Sequence, residues 1–293
     1  MNKTLIKELM NKEYHYPDPE DSDFQSKIYQ KREFYYHKTP GRNILKDYKD
    51  IKEYRDDFCS GAFAFHKHQT FLANFMNPHT PYNGMLVFHG VGTGKTAGGI
   101  AMAELFKPIV KKHNTKIYIL VPGPLFKESW KRELLNATGE TYLKEITSQG
   151  TYLNPEELEA AKRQALGMAL QYYRIMSYKT FYRKVLGEKI KEKEEVGDKN
   201  IKTSYKKTET GEIEREVAID RIENLDNAFL IVDEAHNITG NDYGLAVKKI
   251  IQASKNLKTV LMTATPMKDS ADDIVDLLNF IDSKFNFQNQ FLF

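Results

Sequence analysis

Five short blocks in this chain are apolar at successive positions rather than at alternate ones. They are 85–89 (MLVFH), 116–122 (KIYILVP), 173–178 (YRIMSY), 228–235 (AFLIVDEA) and 258–266 (KTVLMTATP). Each is rich in β-branched or aromatic residues, the pattern of strands buried on both faces. Between them lie stretches with helical periodicity, such as 95–107 and 155–171, and a further one at 271–281. Strands alternating with helices predict an α/β fold, a mostly parallel sheet covered by helices on both faces.

Two regions depart from the alternation. Residues 1–60 are charged and rich in tyrosine, with little periodicity. Within them HYPDPEDSD reads as loop, and Asp23–Tyr36 is compatible with a polar helix. We expect an N-terminal extension, packed on or tethered to a main domain over 61–293. Residues 187–217 are nearly all polar and predict a flexible loop or exposed hairpin inserted in that domain. Its basic run, Lys202–Lys207, is a solvated stretch or a phosphate contact.

Composition narrows the setting. Hydrophobic residues make up 41% of the chain, enough for an ordinary core. Lys and Arg number 43 against 40 Asp and Glu, so the net charge is only +3. That balance neither demands nor excludes nucleic acid, which needs a local basic stripe rather than a global excess. The single cysteine, Cys59, excludes an internal disulfide framework and fits a reducing compartment. The opening residues lack a signal-type apolar core, and no apolar run of about 18 residues occurs. The expectation is a soluble, intracellular protein with no membrane partner.

The chemistry begins at the first predicted strand. It runs straight into GVGTGKT, and a helical pattern follows. Gly90, Gly92 and Gly94 allow tight turning, so that the backbone N–H groups of Gly90, Val91, Gly92, Thr93 and Gly94 can face phosphate oxygens. A helix starting near Lys95 adds its positive dipole end. Lys95 can reach the β- and γ-phosphates, and the Thr96 hydroxyl can ligate Mg²⁺. The loop from His89 to Thr96 therefore predicts a nucleoside triphosphate site, for ATP with Mg²⁺. The strict pattern has glycine where this chain has His89, so GxGKT carries the weight.

The fourth predicted strand ends in Asp233-Glu234-Ala235-His236, and strand ends are where α/β sheets present ligand groups. Asp233 is expected to hold Mg²⁺, directly or through water. Glu234 is expected to polarise the attacking water. The fifth ends in Thr263-Ala264-Thr265-Pro266, whose hydroxyls can hydrogen-bond the carboxylates or His236 and so report nucleotide state. A Thr-Pro turn closing a strand is the plainer alternative.

In this order and spacing, GVGTGKT, DEAH and TATP resemble motifs I, II and III of superfamily 2 helicases, over roughly residues 60–285. The resemblance implies a RecA-like domain, ATP hydrolysis and a nucleic-acid partner. It casts His68-Gln69 as the element whose glutamine recognises adenine. VPGPL (121–125, with Pro122 and Gly123) followed by Trp130, and then Ser177-Tyr178, fall where motifs contact the nucleic-acid backbone. The segments FxFHxHQxFLxNFxNPxTPYxGMLVFHGVGTGKT and KIYILVPGPLFKESWKREL resemble the helicase-like ATPases of nucleocytoplasmic large DNA viruses. That group includes the poxvirus early transcription factor small subunit and related nucleoside triphosphatases. It implies a viral transcription complex or a second subunit as partner, in host cytoplasm or virion. Such enzymes hold nucleotide between two RecA-like domains, the second supplying arginine fingers. Motifs IV to VI have no counterpart before Phe293. The expectation is that the second domain is absent from this chain, which is then a fragment or is completed by a partner. Strand separation and an ATP-gated scaffold in transcription initiation both fit the motifs.

Overall fold

A computed structural model of the chain describes residues 16–37, 46–59, 63–138, 142, 154–187, 190–192, 206–207, 213–215, 221–267 and 272–281. All five predicted strands form, within a few residues of the expected bounds: β1 Gly84–Phe88, β2 Ile117–Val121, β3 Tyr173–Ser177, β4 Phe229–Asp233 and β5 Lys258–Thr263. They make one parallel sheet in the order β1-β5-β4-β2-β3. The order matters for chemistry. β5 stands between β1, which leads into the glycine loop, and β4, which leads into Asp233.

The uninterrupted apolar character of the strands follows from burial on both faces. Successive side chains alternate between two cores, as the strand period of two requires. Ile117, Ile119, Phe229, Ile231, Val260 and Met262 join one core; Leu120, Leu230, Val232 and Leu261 join the other. Every residue of β4 and of β5 is buried.

The helices are α1 Phe24–Gln30, α2 Arg32–Tyr35, α3 Tyr48–Cys59, α4 Lys67–Phe75, α5 Lys95–Glu104, α6 Lys107–His113, α7 Pro124–Ala137, α8 Pro155–Ala169, α9 Tyr178–Leu186, α10 Asp242–Ala253 and α11 Asp272–Ile281. Buried residues of α5, α7 and α8 cover the first face, and those of α9, α10 and α11 the second. Local chemistry sets several boundaries. Asn154 caps α8, accepting from the Glu157 backbone N–H at 2.8 Å, while Glu157 accepts from the Asn154 N–H at 2.9 Å. Asn241 caps α10 by accepting from Tyr243 N and Gly244 N. α5 is nearly apolar all round, with Ala97 to Ala103 buried, because it lies between the sheet and α4.

The tyrosine-rich extension is ordered in part. Ile28 and Phe34 pack with Tyr82, against Phe71 and Phe75 of α4. The Tyr82 hydroxyl donates to Pro17 O, and the Asn74 amide to Glu33 O. The expected polar helix over 23–36 appears as α1 and α2, separated at Lys31. Within the polar insertion, three short antiparallel segments form, with Ile213–Arg215 between Ile190–Glu192 and Lys206–Lys207. The rest of 188–217, including most of Lys202–Lys207, lies outside the described residues, as does the end after Ile281.

Candidate functional site

Three strand ends on one edge of the sheet build the site. β1 delivers the loop 89–94, which closes through two left-handed glycines, Gly92 at φ 80° and Gly94 at φ 76°. The Thr93 hydroxyl donates to Gly90 O at 2.9 Å, cinching the loop. Lys95, the first residue of α5, folds its ammonium back onto His89 O at 3.1 Å and Gly90 O at 3.4 Å. Those carbonyls hold the lysine where phosphate oxygens would take it. Val91 is 90% exposed at the loop tip.

Gln69 is placed directly against the phosphate loop. It is 3% exposed. Its Oε1 accepts from His66 N at 2.9 Å, and its Nε2 donates to Gly94 O at 3.0 Å. The amide braces the phosphate loop from α4. A side chain on Gly94 would place its Cβ 2.5 Å from Gln69 Nε2. Three imidazoles gather on the same flank. His66 stacks on His68 at 5.5 Å between centroids, and His68 meets His89 edge-on at 5.6 Å. Burial, with His68 and Lys95 adding to it, lowers the pKa of His89 below the usual histidine range.

β4 ends on Asp233, which is 6% exposed. The Trp130 indole N–H donates to its Oδ2 at 2.7 Å, and the Glu234 N–H to its Oδ1 at 3.1 Å. Burial pushes the Asp233 carboxyl up to about 6; the Trp130 hydrogen bond opposes this and the Glu234 charge adds to it. Glu234 itself sits at φ 54°, ψ 49°, in the left-handed region that side chains avoid. It caps the short 3₁₀ helix Ala235–Ile238.

β5 closes the gap between these two. The His89 N–H donates to Thr263 O at 3.2 Å. The Thr263 hydroxyl lies 2.9 Å from His236 Nδ1, and the Thr265 hydroxyl 3.3 Å from the same nitrogen. Glu234 Oε2 is 3.5 Å from it. Thr263, Thr265 and His236, grouped from sequence as coupling residues, are thus brought together beside Glu234.

The residues expected on a nucleic-acid track divide. Val121 and Ser177 are register partners at the ends of β2 and β3, so Pro122, Gly123 and Ser177 line one stretch of the sheet edge. Ser177 caps α9, its hydroxyl accepting from Thr180 N at 3.2 Å. Tyr178 corrects the expectation. It is 3% exposed, and its hydroxyl donates inward to Asp233 O and, at 3.1 Å, to Glu234 O. Trp130 is likewise buried, at 1% exposure, with its N–H on Asp233. Both are amphipathic rings whose polar tips found buried partners instead of solvent. Those partners are 103 and 55 residues away, beyond what local spacing reveals. The one hint available in the sequence was that a lone tryptophan beside a buried strand needs an acceptor.

The residues suit Mg-nucleotide. Mg²⁺ is commonly held by one or two protein oxygens together with phosphates rather than by a full protein cage. Thr96 and Asp233 offer a hydroxyl and a carboxylate of the kind such a site uses, and no group of three or more His, Cys, Asp or Glu able to hold a metal occurs among the described residues.

A glycine loop after an edge strand, a carboxylate pair two strands away and a hydroxyl-bearing strand between them define a RecA-like P-loop domain of the helicase type. The chain belongs to the SNF2-related domain family, whose model matches residues 68–293. It is 52% identical over 283 residues to the "Putative ATP-dependent RNA helicase" of Acanthamoeba polyphaga mimivirus, covering 97% of this chain and 24% of that protein. It is 29% identical to the "Putative helicase 087L" of invertebrate iridescent virus 3, over 73% of this chain and 20% of the other. The African swine fever virus protein named early transcription factor large subunit homolog is 23% identical, over 75% of this chain and 24% of its own length. The chain therefore spans a quarter or less of the length of these relatives. The Pyrococcus furiosus Hef helicase domain aligns with a TM-score of 0.42 and 19% identity, over 78% of this chain and 37% of that one. No described helix is long and apolar enough to cross a membrane.

Proposed function

We propose that residues 61–293 are the first RecA-like domain of a viral, ATP-driven motor acting on nucleic acid. The observation that carries this reading is the convergence of Lys95, Thr96, Asp233 and Glu234 at one sheet edge, with Thr263 hydrogen-bonded to both His89 and His236. In it, Gly90 to Gly94 cradle the phosphates through backbone N–H groups, and Lys95 leaves its two carbonyls for the β- and γ-oxygens. Thr96 and Asp233 would hold Mg²⁺, which would supply positive charge against that building on those oxygens. Glu234 orients the attacking water, and His236 with Thr263 and Thr265 senses whether the γ-phosphate is present.

Nucleic acid would lie along Pro122, Gly123 and Ser177, at the N-termini of α7 and α9, where helix dipoles favour phosphates. The names of the relatives support a helicase or transcription role. Lys95→Ala should abolish ATP binding in equilibrium dialysis while leaving urea unfolding unchanged. Nucleic acid should stimulate hydrolysis in a protein that also carries the second half; an ATPase indifferent to DNA and RNA would sink the motor reading. The early transcription factor relative favours a second reading, an ATP-gated scaffold without strand separation. ATP-dependent strand displacement, absent in Lys95→Ala, would eliminate that alternative.

A further inference from the structure

Asp233 and Glu234 are gripped from both faces of the sheet by two residues that the resemblance assigns to nucleic-acid motifs rather than to the nucleotide site. Trp130 belongs to the core on one face and Tyr178 to the core on the other. The indole N–H fixes Asp233 Oδ2 at 2.7 Å, so the buried carboxylate cannot turn about its own axis without losing a charge-assisted hydrogen bond. The indole reaches this depth because residue 99 is glycine. A Cβ there would lie 2.8 Å from the Trp130 ring and 3.2 Å from Met262 Sδ. Gly99 sits one turn along the helix that begins with Lys95 and Thr96. One ring therefore sets the distance between the helix bearing Thr96 and the carboxylate of Asp233.

On the opposite face the Tyr178 hydroxyl bridges the carbonyls of Asp233 and Glu234. Glu234 O also accepts from Asn237 N at 3.0 Å and Asn237 Nδ2 at 3.1 Å. These bonds hold a peptide whose left-handed conformation costs an ordinary residue about 1–2 kcal/mol.

We infer that Trp130 and Tyr178 are positioning residues for the carboxylate pair, Trp130 setting the metal-binding carboxylate and Tyr178 the water-orienting one. As the only tryptophan in the 293 residues, Trp130 is also a built-in optical reporter of metal arriving at Asp233. This rests on the reading of Asp233 as the Mg²⁺ carboxylate.

The test uses the full 293-residue chain with ATP and titrated Mg²⁺. Tryptophan emission should change when Mg²⁺ is added to the ATP-loaded chain, and Asp233→Asn should remove that change. Trp130→Phe should raise the Mg²⁺ midpoint for tight ATP binding about tenfold, the usual scale for outer-sphere partners of metal ligands. Its ATP affinity in EDTA, read by displacement of a fluorescent ATP analogue, should stay within about twofold. Tyr178→Phe, which removes one oxygen atom, should leave both affinities in place and slow single-turnover hydrolysis about tenfold, the scale of one lost positioning contact. An unmoved Mg²⁺ midpoint in Trp130→Phe, or wild-type emission blind to Mg²⁺, overturns the proposal if Asp233→Asn still abolishes the metal dependence. Metal dependence that survives Asp233→Asn overturns the underlying reading instead.

Discussion

Asp233 combines two roles that conflict. As the proposed metal ligand it must be ionised, yet at 6% exposure ionisation is costly. Its carboxyl is pushed from 3.8 to about 6. A carboxyl with a higher pKa folded than unfolded holds its proton more tightly when folded. Its penalty is therefore full above pH 6 and is relieved as pH falls towards 3.8, by about 3 kcal/mol in all. Asp233→Asn keeps an acceptor for Trp130, gives up the acceptor facing the Glu234 N–H and removes the charge. It should stabilise the nucleotide-free chain at pH 7.5 by about 1–3 kcal/mol in urea unfolding, by removing that charge penalty. In the wild-type chain, Mg²⁺-dependent ATP binding should weaken as pH drops below about 6, where protons compete for Asp233. A second residue-scale prediction concerns Gly94. Its φ of 76° and the 2.5 Å approach to Gln69 Nε2 leave no room for a methyl group. Gly94→Ala should lower ATP affinity at least about tenfold in dialysis, because a strain of about 1–2 kcal/mol falls on the loop that receives phosphate.

Elements were legible where the signal was local. The five strands showed as unbroken apolar runs because both faces are buried. The phosphate loop showed because its glycines, Lys95 and Thr96 are consecutive. Side-chain direction was not legible. Tyr178 follows Ser177 by one residue, and only the packing of α9 against the second core decides that one faces the edge and the other the interior. The Gln69 contact with Gly94 O was not legible either, since it depends on how α4 docks on the loop, whereas its bond to His66 N is a local capping box. Lys258 gave no sign at all. It opens β5, is 8% exposed, and donates to Asn77 O and Thr80 O, each at 2.7 Å. It ties the turn before β1 to the strand beside it. Burial pulls its ammonium down to about 8. A lysine whose pKa is lower folded than unfolded adds stability as pH climbs from about 8 towards 10.5. Lys258→Met removes that charge penalty but strands two buried carbonyls, so the two effects largely offset at neutral pH, leaving a net change within about 1 kcal/mol. It should also flatten the alkaline part of the stability profile, read by urea unfolding across pH.

At the scale of the molecule, the proposed two-domain mechanism makes this sheet edge one wall of a cleft. The residues proposed to cradle phosphate, hold Mg²⁺ and orient water all sit on this sheet edge. An arginine finger contributes about 10³–10⁵ in rate in related phosphoryl-transfer enzymes. The 293-residue chain should accordingly bind Mg-ATP yet turn it over slowly, and a protein that also carries the second half should be faster by that order. Turnover by this chain equal to that of the longer protein in a phosphate-release assay would contradict the two-domain mechanism.

The strand order has a consequence in time as well as in space. β1 is complete at Phe88, but its neighbour in the sheet is β5, with Phe88 opposite Thr263. The backbone bond from His89 to Thr263 O cannot form until the chain has been made as far as Thr263. During synthesis, at about 5–20 residues per second, the nucleotide loop thus emerges roughly ten to thirty seconds before the strand that walls it. Until then β1 presents an apolar, unpaired edge. Nascent chains stalled before β5 should be captured by chaperones and recover nucleotide binding only once that last strand has been released.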